Sequence, residues 1–110
     1  MFFTSPADFK ERELSPRVTT RLVWGEKLMF SYVTIQPGAP IVPLHSHPNE
    51  QMGMVLEGKM GLTIGNETRT LKKGDMFLVS PNTPHGLAFT DEKPALVLDV
   101  FSPPREEFKK

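Results

Sequence analysis

From Arg17 onward, short apolar runs rich in valine, isoleucine, leucine and phenylalanine are cut at close intervals by polar breaks of glycine, proline or asparagine. Such runs, bounded by turn residues, read as the strands of an antiparallel β protein. The pattern predicts strands at Val18 to Trp24, Leu28 to Gln36, Gln51 to Glu57, Lys59 to Ile64, Thr68 to Leu71, Met76 to Ser80, His85 to Phe89 and Ala95 to Phe101. Between them, Pro37-Gly38, Gly58, Gly65-Asn66, Lys73-Gly74-Asp75 and Pro81-Asn82 supply residues that accept or impose turn dihedrals. Gly65-Asn66-Glu67 and Glu57-Gly58-Lys59 suit tight hairpins. Eleven prolines work against long helices. The expected class is therefore an antiparallel all-β domain, with a short helical turn in the closing stretch after Pro103. Met52, Met54, Met60 and Met76 fall inside predicted strands and are expected as flexible fillers of the core, while Lys72-Lys73 reads as a solvated turn.

At 110 residues the chain suits one domain spanning 1–110, with its barrel core at about 17–101. It shows no internal repeat, low-complexity tract or linker. A formal net charge of zero leaves no basic field for a nucleic-acid backbone. No apolar run approaches membrane-spanning length, and the opening MFFTSPADFKERE lacks a basic stretch followed by a long apolar core. The expected compartment is cytoplasmic. Cysteine is absent, so any metal must be held by nitrogen and oxygen.

The candidate chemistry begins with the three histidines. His45 and His47 are two apart and share a face of an extended segment, and His85 follows much later. Neutral imidazole is the commonest side-chain ligand for a divalent metal, so one bound ion explains all three. Zinc, nickel, cobalt, iron and manganese all suit such a set, and spacing selects none of them. Alternation also places Asp99 and Phe101 on one side of the last strand. An aspartate among apolar neighbours is costly to bury ionised, so it should face a polar cavity, a metal-bound ligand or Arg105. A purely structural Asp99–Arg105 pair that pins the tail to the barrel is the competing reading.

Gly38, His45-x-His47, Gln51 and Gly58 resemble the first motif of the cupin superfamily, and Gly74-Asp75, Pro81 and Pro84-His85 resemble the second. The resemblance implies a double-stranded β-helix, or jelly-roll barrel, that holds one divalent metal through His45, His47, Gln51 and His85. The chain departs from the common pattern in three places. The gap from Gly38 to His45 is one residue longer, Gln51 stands at the usual glutamate position, and Phe89 replaces a frequent asparagine. The last two weigh against a dioxygenase. Glu50 adjoins Gln51, and strand alternation cannot turn both inward, so either is open as the fourth ligand. Three imidazoles and an amide would leave the ion's charge uncompensated, which makes it a stronger Lewis acid.

The ending Asp99-x-Phe101-Ser102-Pro103-x-Arg105, with MFF at the start and HSHP in the first motif, resembles the small cupins of the KdgF pectin-degradation family. That resemblance implies ring opening of 4,5-unsaturated monouronates from pectin or alginate to 4-deoxy-5-keto-uronate. Asp99 would be the general base, Arg105 the clamp for the substrate carboxylate, and Phe101 an apolar wall. Two alternatives remain: a different cupin reaction on a small acid, such as oxygenation or a lyase step, or a non-catalytic module that binds metal and a sugar acid. Small cupins commonly form homodimers, and a strand beginning Met1-Phe2-Phe3 is expected to pair with a neighbouring subunit.

Overall fold

The computed structural model describes residues 3–110. Its strands are β1 (Arg12–Ser15), β2 (Val18–Trp24), β3 (Met29–Ile35), β4 (Glu50–Glu57), β5 (Lys59–Ile64), β6 (Glu67–Lys72), β7 (Met76–Val79), β8 (His85–Thr90) and β9 (Ala95–Ser102). Short 3-10 turns at Pro6–Asp8 and Glu106–Lys109 flank them, the second where a helical turn was expected. All eight predicted strands form, each within one residue of its expected ends. The ninth, β1, was missed because its sequence RELS has one apolar residue and nothing for it to alternate with.

Every strand pairing is antiparallel. One sheet has the order β1-β2-β3-β9-β4-β7 and the other β6-β5-β8. Their inner faces share one core, in which Val18, Val33, Ile35, Val55, Ala95 and Val97 of the larger sheet meet Met60 and Leu87 of the smaller. Val55 is wholly buried, and each such side chain contributes about 1.5–3 kcal/mol by leaving water. A second cluster of Leu22, Met29 and Phe101, covered by Phe108, closes one end. The β4–β5 hairpin turns on Gly58 at φ +73°, where an added Cβ would collide with the Pro94 carbonyl. Left-handed backbone and lack of space together require glycine there.

One expectation is corrected. Met60 is buried, but Met52, Met54 and Met76 are 55%, 37% and 71% exposed. The inward positions of β4 belong to Gln51, Gly53 and Val55, so alternation turns Met52 and Met54 outward, and Met76 lies opposite Met54 on edge strand β7. The strand expected at Met1-Phe2-Phe3 begins outside the described residues, and Phe3 is exposed and in no strand. Among the described residues the first strand starts at Arg12 and pairs within its own sheet. Lys72 closes β6 and only Lys73 lies in the turn; both are exposed, with Lys73 3.2 Å from Glu57. Among the described residues no helix is long and apolar enough to cross a membrane.

Candidate active site

Backbone pairing brings the distant histidines together. His45, in the connection between β3 and β4, makes an isolated antiparallel bridge with His85 at the start of β8, through reciprocal N–H to carbonyl bonds of 3.0 and 2.9 Å. The ring centroids of His45 and His85 are 4.5 Å apart, those of His47 and His85 4.9 Å, and those of His45 and His47 6.3 Å. His47 and His85 are buried, whereas His45 sits at the exposed rim.

All three rings are oriented the same way. Nδ1 of His45 faces the Pro43 carbonyl at 3.2 Å, Nδ1 of His47 the Asn49 carbonyl at 3.0 Å, and Nδ1 of His85 the Thr83 carbonyl at 2.8 Å. A carbonyl can only accept, so each Nδ1 carries the proton and each neutral ring is left with a free lone pair on Nε2. That tautomer, fixed by a backbone carbonyl, is the one a metal-binding imidazole needs. Burial lowers the pKa of both His47 and His85, with the Arg105 charge as the next cause at His47. Their neutral forms are favoured accordingly.

Gln51 is buried on the inner face of β4, while Glu50 points to solvent. Of the two, Gln51 alone reaches the histidines, its Oε1 lying 3.1 Å from His47 Nε2. With Nδ1 as the donor, two lone pairs confront each other across that gap. Either the amide turns over to donate, or a cation lies between them. Gln51 also favours the charged form of Asp99, which accords with an NH2 turned to the aspartate and an oxygen turned to the histidine. The three imidazoles and the amide oxygen thus fit a divalent cation chemically. Among the described residues, however, no group of three or more His, Cys, Asp or Glu side chains already has the spacing of a closed metal cage.

Asp99 lies on the inner face of β9, between Ser31 of β3 and Gly53 of β4. The Ser31 hydroxyl is engaged with Thr20 Oγ1 at 2.6 Å, and Asp99 Oδ1 is shut off from solvent with no partner. Desolvation pushes its pKa up to about 7, against opposing influences from the Gln51 hydrogen bond and then the Arg105 charge. No ion pair joins Asp99 to Arg105 among the described residues, so the purely structural pairing is absent. Arg105 instead reaches Glu107 at 3.3 Å, and its Nε is buried without a partner. Its guanidinium lies 4.1 Å from the Phe108 ring centre and 5.3 Å from that of Phe101. Phe101 also packs edge-on against His47, at 5.7 Å.

These groups open on one cavity of about 290 Å³, with His45, Gln51, His85, Asp99, Phe101 and Arg105 in its wall and apolar residues of both sheets elsewhere. Its size is at the small end for ligand pockets, which run from about 300 Å³ upward, and suits a single small molecule. Its chemistry can hold a cation, bind an anion and exchange a proton.

Sequence reasoning missed three contributors. Phe108 stacks on Arg105. Arg12 of β1 donates from Nη1 to the carbonyls of Phe108 at 2.7 Å and Lys110 at 2.8 Å, tying the tail to the barrel. Asn49 supplies the carbonyl that orients His47, and its side chain donates to the Pro103 carbonyl at 2.6 Å, linking the histidine loop to the tail. No local pattern marks Arg12 or Asn49. The aromatic Phe108 three residues after Arg105 was a weak available signal.

Comparison with known proteins agrees with this arrangement. The Cupin domain family matches residues 31–101. The pectin degradation protein KdgF of Dickeya dadantii (strain 3937) is 33% identical over 98 residues, covering 87% of each chain. H2HPP isomerase of Bacillus subtilis is 28% identical over 94% of this chain, which spans only 46% of that protein. The solved structure of KdgF from Halomonas sp. superposes with a TM-score of 0.84 at 28% identity, over 96% of each chain. The matched segment runs from Ser31 beside the carboxylate, through the histidine loop, to Phe101 on the cavity wall, and on that ground the chain belongs to the cupin family, among the small cupins that include KdgF.

Proposed function

We propose that this protein is a metal-dependent enzyme that opens the ring of a 4,5-unsaturated monouronate released from pectin or alginate, giving the linear 4-deoxy-5-keto acid. The observation that carries the reading is the half-buried Asp99, its Oδ1 shut off from solvent without a partner and its pKa raised to about 7, in the same small cavity as the guanidinium of Arg105. The likeness over most of the chain to KdgF, a pectin degradation protein, supports a substrate of this class.

The substrate is a cyclic hemiacetal with a double bond beside a carboxylate. Arg105, held flat by Phe108 and Phe101, presents its planar fork to that carboxylate. Asp99 takes the anomeric hydroxyl proton as the ring oxygen departs as an enolate, and returns that proton to C4 as the enolate becomes a ketone. A pKa near neutrality lets one carboxyl do both. Phe101 walls the site on the side away from solvent. His45, His47, Gln51 and His85 would hold the ion, which when bound supplies a Lewis acid for the developing oxyanion.

The test follows the loss of ultraviolet absorbance of the conjugated double bond in unsaturated galacturonate, with purified protein of measured metal content beside a chelated control. Acceleration over the spontaneous rate that chelation removes is expected. An unchanged rate with metal present would reject the activity. A second reading, isomerisation of another small unsaturated acid, is favoured by the similarity to H2HPP isomerase. It predicts proton exchange on such acids and none of the absorbance loss.

A further inference from the structure

Asn49 stands between the two halves of the site. His47, Asn49 and Gln51 are all buried, while Pro48 and Glu50 between them are exposed. The Asn49 backbone carbonyl accepts from His47 Nδ1, and its side-chain Nδ2 donates to the Pro103 carbonyl at 2.6 Å. The ladder between β4 and β9 explains why a side chain takes this part. It ends at the pair Glu50 and Ser102, and one step beyond that pair Asn49 meets Pro103, which has no N–H to continue the ladder. The Asn49 amide occupies the carbonyl that the ladder leaves free.

We propose that Asn49 is a positioning residue for Arg105, fixing its guanidinium in place relative to the histidines. Among the described residues, the bond from Asn49 is the one hydrogen bond that joins the barrel to the stretch Pro103-Pro104-Arg105. Each proline locks its own φ near about −65°, so the stretch is stiff and a hold on Pro103 is carried to Arg105.

The other contacts of Arg105 cannot do this. Glu107 and Phe108 ride on the same tail and move with it. Phe101 belongs to the barrel, but a ring 5.3 Å from a guanidinium attracts it without fixing its direction. Arg12 anchors the tail beyond Arg105, at the carbonyls of Phe108 and Lys110. Asn49 anchors it before Arg105, and does so from the loop that carries His45 and His47. One residue thereby sets the spacing between the candidate cation site and the carboxylate clamp. The effect on ligand binding rests on the reading of Arg105 as that clamp; the effect on the guanidinium itself does not.

The first measurement is the exchange of the Arg105 Nε–H with water, by nitrogen-15 magnetic resonance, with the signal assigned by its loss in Arg105→Lys. That Nε is buried without a partner, so its proton should exchange slowly. In Asn49→Ala exchange should quicken by about tenfold, the worth of one hydrogen bond, while that of Arg21, held by the Phe9 carbonyl on the far side of the sheet, stays at the wild-type rate. Asn49→Asp keeps the shape but offers an acceptor in place of the donor, and should quicken exchange as alanine does. The second measurement is calorimetric binding of D-galacturonate as the probe. Asn49→Ala should weaken it about tenfold in the wild-type background and less than about twofold in Arg105→Ala, because the amide acts through the guanidinium. Metal content should be that of the wild type, since the carbonyl that orients His47 is backbone. Unchanged Arg105 exchange, wild-type exchange in Asn49→Asp, equal losses in the two backgrounds, or loss of metal from Asn49→Ala overturns the proposal. Quickened exchange with no binding of D-galacturonate by the wild type upholds the positioning of Arg105 and rejects the carboxylate clamp instead.

Discussion

Asp99→Asn should remove a pH dependence of folding stability that the wild type carries. In the unfolded chain the carboxyl titrates near 3.8, and in the folded protein near 7, because burial disfavours its charge. Between those values the folded state keeps a proton that the unfolded state has released. Stability therefore falls as pH rises through this window, being fully present below 3.8 and lost by about 7. Three units at about 1.4 kcal/mol each make the total loss about 4 kcal/mol, an upper figure because the cavity wall and entering water relax around the charge. Asparagine has nearly the same shape and no charge to bury.

The assay is urea unfolding of wild type and variant at steps of pH across that window, with chelator present so that cation binding does not contribute. The quantity to plot is the difference in unfolding free energy between the two proteins, because titrations common to both, those of His47 and His85 included, cancel in it. That difference should move in favour of the variant by up to about 4 kcal/mol as pH rises, nearly all of it between 3.8 and about 7. A gap that does not change with pH would show that Asp99 is not buried as a charge. A gap that moves in favour of the wild type would mean that Arg105 and Gln51 outweigh desolvation, the reverse of the order argued above.

Three further outcomes follow from particular contacts. His47→Ala should lower the metal retained after desalting by more than tenfold, read by elemental analysis, since it removes a buried ring with a free Nε2; retention at the wild-type level would move the metal site elsewhere. Phe108→Ala should raise KM severalfold with a smaller effect on kcat, because it frees the guanidinium proposed to clamp the substrate carboxylate, and Phe108→Tyr should restore KM; an unchanged KM would leave Phe108 a structural residue only. Gly53→Ala should cost about 1–3 kcal/mol in urea unfolding, since the added Cβ collides with the Phe77 ring packed against the core; an unaltered midpoint would mean that the ring moves freely.

The strands were legible because segments rich in β-favouring apolar residues and the turn residues between them agreed along the whole central chain. β1 was not, since Arg12, Glu13 and Ser15 are placed by pairing with β2 and by the tail rather than by burial. The same separation runs through the site. His45, His47 and His85 could be grouped as a set of like donors, but the bridge that joins them is a backbone contact between residues 40 apart, to which no side-chain pattern testifies. Which of Glu50 and Gln51 turns inward depends on the phase of β4, which a one-residue uncertainty in the strand start left open, and in the structure Gln51 is the buried one. The methionines failed for a related reason. Hydrophobicity says that a side chain is better off covered but not by what, and Met52, Met54 and Met76 are apolar residues outside the core of their own chain.

Strand β9 shows why the phase matters so much in this fold. Its inward positions are Val97, Asp99 and Phe101, and its outward ones Leu98 and Val100. In β4 the inward positions are Gln51, Gly53 and Val55, and the outward ones Met52 and Met54. A slip of one residue in β9 would push Leu98 and Val100 into the cavity and turn the carboxylate out to water, and a slip in β4 would replace the amide beside His47 with a thioether. Ordinarily a polar outer face opposes such a slip by the cost of burying its charges. Here the outer face is apolar and opposes it only weakly. The inner face therefore has to fix the register, through the close fit of Gly53 under Phe77 and of Phe101 against His47 and Phe108. The packing that positions the site is thus also what holds the two strands in phase, so a cavity-forming substitution such as Phe101→Ala should loosen the ladder between β4 and β9 as well as the pocket.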